Sequence, residues 1–128
     1  MILDTTVLID LQKEFRGEQP GAASRLLEGV GEAPVFVAFV TCMEFSEGFG
    51  DEDQLACERF LSGFQVLWPD PETAWLAGRI SRSLRAAGEP IGDHDTWIAS
   101  LALQHGRTVV SRNEKHFSRV AGLSFRTY

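Results

Sequence analysis

The sequence predicts an α/β fold built on a parallel sheet. Three observations carry this expectation. Short apolar runs that read as buried strands alternate with segments of helical periodicity along the whole chain, the order that right-handed crossovers turn into a parallel sheet with helices on both faces. The first apolar run, Met1-Ile2-Leu3, ends directly in Asp4, and an acid at that point lies at the carboxyl edge of a sheet, where open α/β sheets hold their ligands. At 128 residues, the length suits one layered unit with a real core and no separate cap, so one domain over residues 1–128 is expected.

The elements follow in order. Residues 1–3 read as a strand and 5–15 as a helix with Val7, Leu8, Leu11 and Phe15 at helical spacing. Gly17 to Gly21, with Pro20, interrupts the chain before a second helix carrying Leu26, Leu27 and Val30. Pro34 opens a strand at 35–37, and a helix is expected from about residue 41, with Glu44 on its first turn. A helix at 54–61 and a strand at 64–67 come next. Pro69-Asp70-Pro71-Glu72 is a helix start, and Ala74, Leu76, Ala77, Ile80 and Leu84 give that helix its period until Gly88 and Pro90 end it. A small-residue helix at 96–104 stops at Gly106. A β-branched strand at 108–110, a short helix near His116 and Phe117, and a last strand at 123–125 complete the chain.

Composition narrows the function classes. No stretch is long or apolar enough to cross a bilayer, and the start lacks the basic-then-apolar pattern of a signal peptide, so a soluble cytoplasmic protein is expected. Cys42 and Cys57 have no metal-ligand spacing and read as free thiols in helices. The formal net charge of −6 argues against binding nucleic acid by bulk electrostatics. The basic residues are uneven, however: Arg79, Arg82 and Arg85 recur every third position, and Arg107, Arg112, Lys115, Arg119 and Arg126 crowd the last quarter, so a local patch can still meet phosphates or an acidic partner.

Four acids stand where a sheet edge can gather them: Asp4, Glu44, Asp93 and Asp95. Carboxylates brought together repel unless a cation holds them, and a hard divalent ion with oxygen ligands, Mg²⁺ or Mn²⁺, is the natural candidate. Asp4 can also cap the following helix, with Thr6 placed to orient its carboxylate; Asp10, on the same helix, is expected to face solvent. Glu44 sits among Val40, Met43 and Phe45, where an ionised side chain is costly without a partner, so it is expected to point inward and Glu47 outward. Residues two apart on a helix diverge. Asp95 is therefore taken as the ligand and Asp93 as a neighbour preceding the helix, able to cap it, hold a water or join a second ion. His94 reads as an exposed helix-start residue, and three scattered histidines make no zinc site. Asn113 follows its strand in Val109-Val110-Ser111-Arg112-Asn113 as Asp4 follows the first, so it should reach the same edge, to take a water or a phosphate oxygen, or simply to make a turn.

These segments together resemble the PIN-domain ribonucleases, and within them the VapC toxins of VapBC toxin–antitoxin pairs. The resemblance rests on Ile2-Leu3-Asp4-Thr5-Thr6-Val7-Leu8-Ile9-Asp10, Thr41-Cys42-Met43-Glu44-Phe45-Ser46-Glu47-Gly48, Ile91-Gly92-Asp93-His94-Asp95-Thr96-Trp97-Ile98-Ala99 and Val109 to Phe117, in that order and over nearly the whole chain. It implies a PIN-like three-layer α/β/α sandwich with a central parallel sheet and a metal-dependent endoribonuclease site. The family's acidic positions carry onto Asp4, Glu44 and Asp95, with Asp93 an additional acid; the fourth falls on Asn113, which places a permanent second ion in doubt. It further implies RNA as substrate, products with 5′-phosphate and 3′-hydroxyl ends, a VapB-like antitoxin and a two-fold dimer, for which Trp75 on the arginine-bearing helix supplies spare apolar surface.

Three alternatives remain: a free-standing PIN-domain RNA-processing nuclease, a haloacid-dehalogenase-like phosphatase and a non-catalytic binding module. The phosphatase chemistry wants a second Asp where the chain has Thr6, and a Lys between the acid motifs, where the only lysine, Lys13, comes too early. The full set Asp4, Glu44 and Asp95 disfavours a module without activity.

Overall fold

A computed structural model describes Met1–Tyr128. Five short strands, β1 (Ile2–Leu3), β2 (Phe36–Ala38), β3 (Gln65–Leu67), β4 (Val109–Val110) and β5 (Phe125–Arg126), form one sheet in the order β3-β2-β1-β4-β5. Every pairing is parallel, as the alternation of elements predicts. The helices are α1 (Thr5–Arg16), α2 (Ala22–Glu28), α3 (Phe39–Ser46), α4 (Gln54–Leu61), α5 (Pro71–Ala86), α6 (Asp93–Gln104) and α7 (Glu114–Phe117).

The pleat divides the core. Successive strand residues point to opposite faces. Ile2, Phe36 and Val109 accordingly pack in one layer with Ile80 and Leu84 of α5 and Ile98 and Leu101 of α6. Leu3, Val37 and Val110 pack in the other with Val7, Leu8 and Leu11 of α1, Phe45 of α3 and Cys57 of α4. A strand buried on both faces has no polar position to spare, which is why β1 and β4 read as unbroken apolar pairs.

Local chemistry sets the helix starts. Asp4 caps α1 by accepting from the Thr5 N–H at 2.7 Å. Asp70 and Thr73 form a reciprocal capping box at the start of α5, with Pro71 in the first turn where its missing N–H costs nothing. Gly92 precedes α6 at φ 85°, a left-handed conformation that side chains rarely adopt.

The structure moves several boundaries. α3 begins at Phe39, so Glu44 lies on its second turn rather than its first. α6 begins at Asp93, a turn before residue 96, so Asp93 is the first helical residue and makes no capping bond. The last strand is Phe125–Arg126, and Val30 lies beyond α2. Phe15 keeps helical spacing yet is 59% exposed, its ring tilted against Phe60 at the rim. Both cysteines are free, as expected.

Glu14 of α1 acts as the cap of α2. Its carboxylate accepts from the Ala23 N–H at 3.1 Å, the Ser24 N–H at 2.8 Å and the Ser24 hydroxyl at 2.5 Å. A Cβ at position 21 would stand 2.2 Å from that carboxylate, so Gly21 is required for the approach. Burial acts to raise the Glu14 pKa, but the bonds from Ser24, Ala23 and Gly21 prevail and hold it at about 2. The folded value lies below the ordinary 4.5, so the stabilisation is complete above pH 4.5 and is lost as pH falls toward 2. Glu14→Gln is expected to cost about 1 kcal/mol at pH 7, as for loss of an N-cap, and to flatten the acid limb of stability; urea melts across that pH range check both.

Candidate active site

The carboxyl ends of β1, β2 and β4 deliver the site. β1 lies between β2 and β4, and the Asp4 N–H donates to the Val110 carbonyl at 3.0 Å, which ties the end of one strand to the end of the next. Asp4 and the residue that supports it, Ser111, therefore emerge side by side. Ser111 donates its hydroxyl to Asp4 Oδ2 at 2.5 Å, and Thr6 donates to the same oxygen at 3.3 Å, the orienting role expected of it.

Asp4 is 5% exposed. Burial pushes its pKa above the usual carboxylate range, opposed by the bonds from Ser111 and Thr5 and reinforced by the charge of nearby Asp95. The site thus lacks positive charge where it has most need of it.

Glu44 and Asp95 are each held by a hydroxyl or amide and a histidine. The Thr5 hydroxyl donates to Glu44 Oε2, and His94 Nδ1 bonds Glu44 Oε1. Asn113 Nδ2 donates to Asp95 Oδ2 at 2.9 Å, and His116 Nδ1 approaches the same oxygen at 2.5 Å. An ionised carboxylate only accepts, so in each pair the imidazole is the donor.

Asp4, Glu44, Asp95 and Asn113 line one open cleft of 550 Å³, with Glu47 and Arg112 at its margin. Asp93 lies outside it. Glu44 and Asp95 also border an adjoining depression of 340 Å³, and Asp93 and His94 belong to that one. Asp93 thus neighbours Glu44 and Asp95 without entering the cleft they share with Asp4.

Several expectations change here. Asp10 is not solvent-facing: Arg112 reaches its Oδ2 at 2.9 Å and the Tyr128 hydroxyl donates to it at 2.6 Å, while the Arg112 guanidinium lies over the Tyr128 ring. Burial first, and Asp10 second, drive the Tyr128 pKa upward. Arg112 is consequently tied at the rim rather than free. His94 is half-buried and engaged, and Asn113 serves Asp95 instead of a turn alone. Thr5 and His116 were not singled out from the sequence. Thr5 shares the capping turn with Asp4, a signal of position; His116 carries none, because its partner lies 21 residues away.

All three acids offer oxygen donors to one cleft, and Asp4 carries a carboxylate that burial and a like charge disfavour. That donor chemistry fits a hard divalent cation. The side chains as they stand do not close into a three-ligand shell of acids, histidines or cysteines, and Glu44 and Asp95 each contact a histidine, His94 and His116.

Fold and site define the class: an α/β domain with an acid-lined cleft at the carboxyl edge of a parallel sheet. The PIN domain family model matches residues 1–123, and the chain belongs to that family. It is 30% identical over 129 residues to Ribonuclease VapC1 of Methanocaldococcus jannaschii, covering 100% of this chain and 86% of that one. To the tRNA(fMet)-specific endonuclease VapC of Shigella flexneri it is 29% identical over 127 residues, covering 95% and 92%. The solved structure of VapBC-1 from nontypeable Haemophilus influenzae superimposes with a TM-score of 0.82 at 27% identity, over 98% of this chain and 96% of that one. Membership of this family removes the haloacid-dehalogenase-like alternative.

The folded pKa of Asp4 lies above its ordinary value of 3.8, so its ionisation opposes folding at neutral pH, and the penalty disappears as pH falls below that value. Asn can keep both main bonds, accepting from Thr5 and donating to Ser111. Asp4→Asn is therefore expected to raise the Tm of metal-free protein at pH 7 and to change it little near pH 3.5. Thermal melts with a chelator at the two pH values check this.

Proposed function

We propose that this chain is a metal-dependent endoribonuclease, the toxin of a type II toxin–antitoxin pair, acting on cellular RNA in the cytoplasm. The observation that carries the reading is the cleft shared by Asp4, Glu44 and Asp95 in a PIN-domain chain. The similar ribonuclease and tRNA endonuclease, at near-complete coverage, support the reaction class. The likeness to solved VapBC structures supports a VapB-like antitoxin as partner. No helix is long and apolar enough to cross a membrane.

Asp4, Glu44 and Asp95 would hold Mg²⁺ or Mn²⁺. When bound, such an ion polarises the scissile phosphate and lowers the pKa of an attacking water. The chain's own residues do the rest. Ser111 and Thr6 fix the Asp4 carboxylate, and Thr5 fixes Glu44. Asn113 aims Asp95 without adding a charge that would repel phosphate. Asp93, exposed on the first turn of α6 beside the cleft, is placed to receive a proton from water. A basic side chain from the antitoxin, entering the cleft, would satisfy the same acids and compete with the ion.

Purified, partner-free protein is expected to cleave total cellular RNA with Mg²⁺ or Mn²⁺ and to stop in excess chelator. Asp4→Asn, Glu44→Gln and Asp95→Asn should each abolish measurable cleavage, and Asp93→Asn should be milder, lowering the rate about 100-fold, the lower end of what one proton-transfer group contributes. Full activity in chelator would remove the metal from the mechanism.

We also propose a homodimer. Trp68 and Trp75 are 70% and 66% exposed, and Trp68 stacks on Phe39, which also meets the Trp97 ring edge-on; so much aromatic surface is costly to leave in water. Light scattering at micromolar concentration is expected to give twice the mass of the chain, and Trp68→Ala to shift it toward the monomer.

A further inference from the structure

The acidic cleft has one basic side chain at its margin, Arg112. Its backbone is fixed on both sides, because Ser111 supports Asp4 and Asn113 supports Asp95. Its side chain nevertheless pairs with neither of those acids, nor with Glu44. It reaches instead to Asp10 Oδ2, at 2.9 Å, and its guanidinium lies over the Tyr128 ring, 5.1 Å from the centroid.

Two elements bring these partners to the rim. Asp10 lies one turn beyond Thr6 on α1, so the two share a face of the helix, and Thr6 borders the cleft. Past the end of β4, the Ser111 N–H donates to the Arg126 carbonyl at 3.2 Å, which continues the pairing with β5 by one step and carries Tyr128 alongside Arg112. The Tyr128 hydroxyl then donates to the same Asp10 oxygen at 2.6 Å. Burial and that carboxylate raise the Tyr128 pKa, so the hydroxyl stays a donor. The Asp10 side chain is 18% exposed and that of Arg112 57%. A guanidinium carries five N–H donors in one plane. The pair with Asp10 runs through one terminal nitrogen, and no other hydrogen bond or ion pair within the chain engages the rest.

We propose that Arg112 is a clamp for the RNA strand, gripping a backbone phosphate adjacent to the scissile one, with Asp10 and Tyr128 as its positioning residues. The proposal rests on the ribonuclease reading of the acidic cleft. A polyanion that enters a cleft of carboxylates is repelled at its rim, and the planar fork of an arginine matches a phosphate group there. An arginine free to rotate loses that freedom when it binds; one already paired and stacked has little left to lose, so more of the contact shows as affinity. Asp10 also draws the guanidinium off the acids that a divalent ion would need. A contact at the margin serves bound RNA and transition state alike.

The test measures binding of a labelled, mixed-sequence single-stranded RNA of about twenty nucleotides across a salt series, in an Asp95→Asn background so that RNA is bound and not cut. Arg112→Gln should make the slope of log affinity against log salt shallower by about 0.7, the share of one single-strand phosphate contact, and weaken binding about 4-fold near physiological salt. Arg112→Lys keeps the charge and should restore the slope. Arg25→Gln, the same change on an exposed residue of α2, should keep the slope of the parent. In the cleaving protein, Arg112→Gln should act on KM rather than kcat. Asp10→Ala removes a negative charge from the rim, so electrostatics alone predicts tighter binding. Loss of positioning predicts weaker binding for Asp10→Ala and for Tyr128→Ala, and only while Arg112 is present; added to Arg112→Gln, neither should weaken binding further.

An unchanged slope for Arg112→Gln, or an equal change for Arg25→Gln, would overturn the clamp and leave Arg112 as a tie between Tyr128 and α1. Tighter binding by Asp10→Ala, or weakening that persists without Arg112, would overturn the positioning. Failure of the wild-type chain to cleave RNA would remove the ribonuclease reading, whereas the salt slopes report on the clamp independently of cleavage.

Discussion

The site depends on β1 being paired on both sides. A two-residue strand has little stability of its own; Ile2 and Leu3 are fixed because β2 and β4 flank them and because each residue enters a different core layer. That constraint fixes where the chain must emerge, and Asp4 is the first residue to do so. The bond from the Asp4 N–H to the Val110 carbonyl continues the sheet by one step beyond the last apolar residue, into the acidic cleft. A register slip of one residue would exchange the two core layers and carry Asp4 away from Ser111.

Burial at that edge makes the carboxylates interdependent. Asp4 gives up solvation and is supported by hydroxyls and an N–H, none of which brings a full charge. Glu44 and Asp95 are approached by His94 and His116, each of which engages one oxygen of its carboxylate. The three acids are therefore each fixed by bonds within the chain, and Asp95 keeps its second oxygen free of any of them.

Charge is separated along the surface rather than averaged over it. Acids gather at the carboxyl edge, where a cation can pair them; Arg112 beside them is matched by Asp10. The arginines of α5 and Arg119 remain without carboxylate partners, on the layer built from α5 and α6. An acidic total thus coexists with a local cationic groove, and a charged partner meets the local arrangement within a Debye length.

The order of strands and helices, the apolar pairs of β1 and β4, the capping residues of α1 and α5 and the identity of Asp4, Glu44, Asp95 and Asn113 as candidates were legible in the sequence, because each rests on neighbours in the chain or on short periodicities. Boundaries were less so. Phe39 joins α3 and Asp93 joins α6 because the preceding strand and the left-handed turn at Gly92 place the first helical residue, which a search for apolar periodicity alone does not detect. Only the tertiary structure decided which side chains meet: His116 with Asp95, His94 with Glu44, Arg112 with Asp10, and Arg119 across from the arginines of α5. Those pairs bring together residues far apart in the chain, and such contacts leave no local trace in the sequence because their geometry exists only once the parallel crossovers have closed.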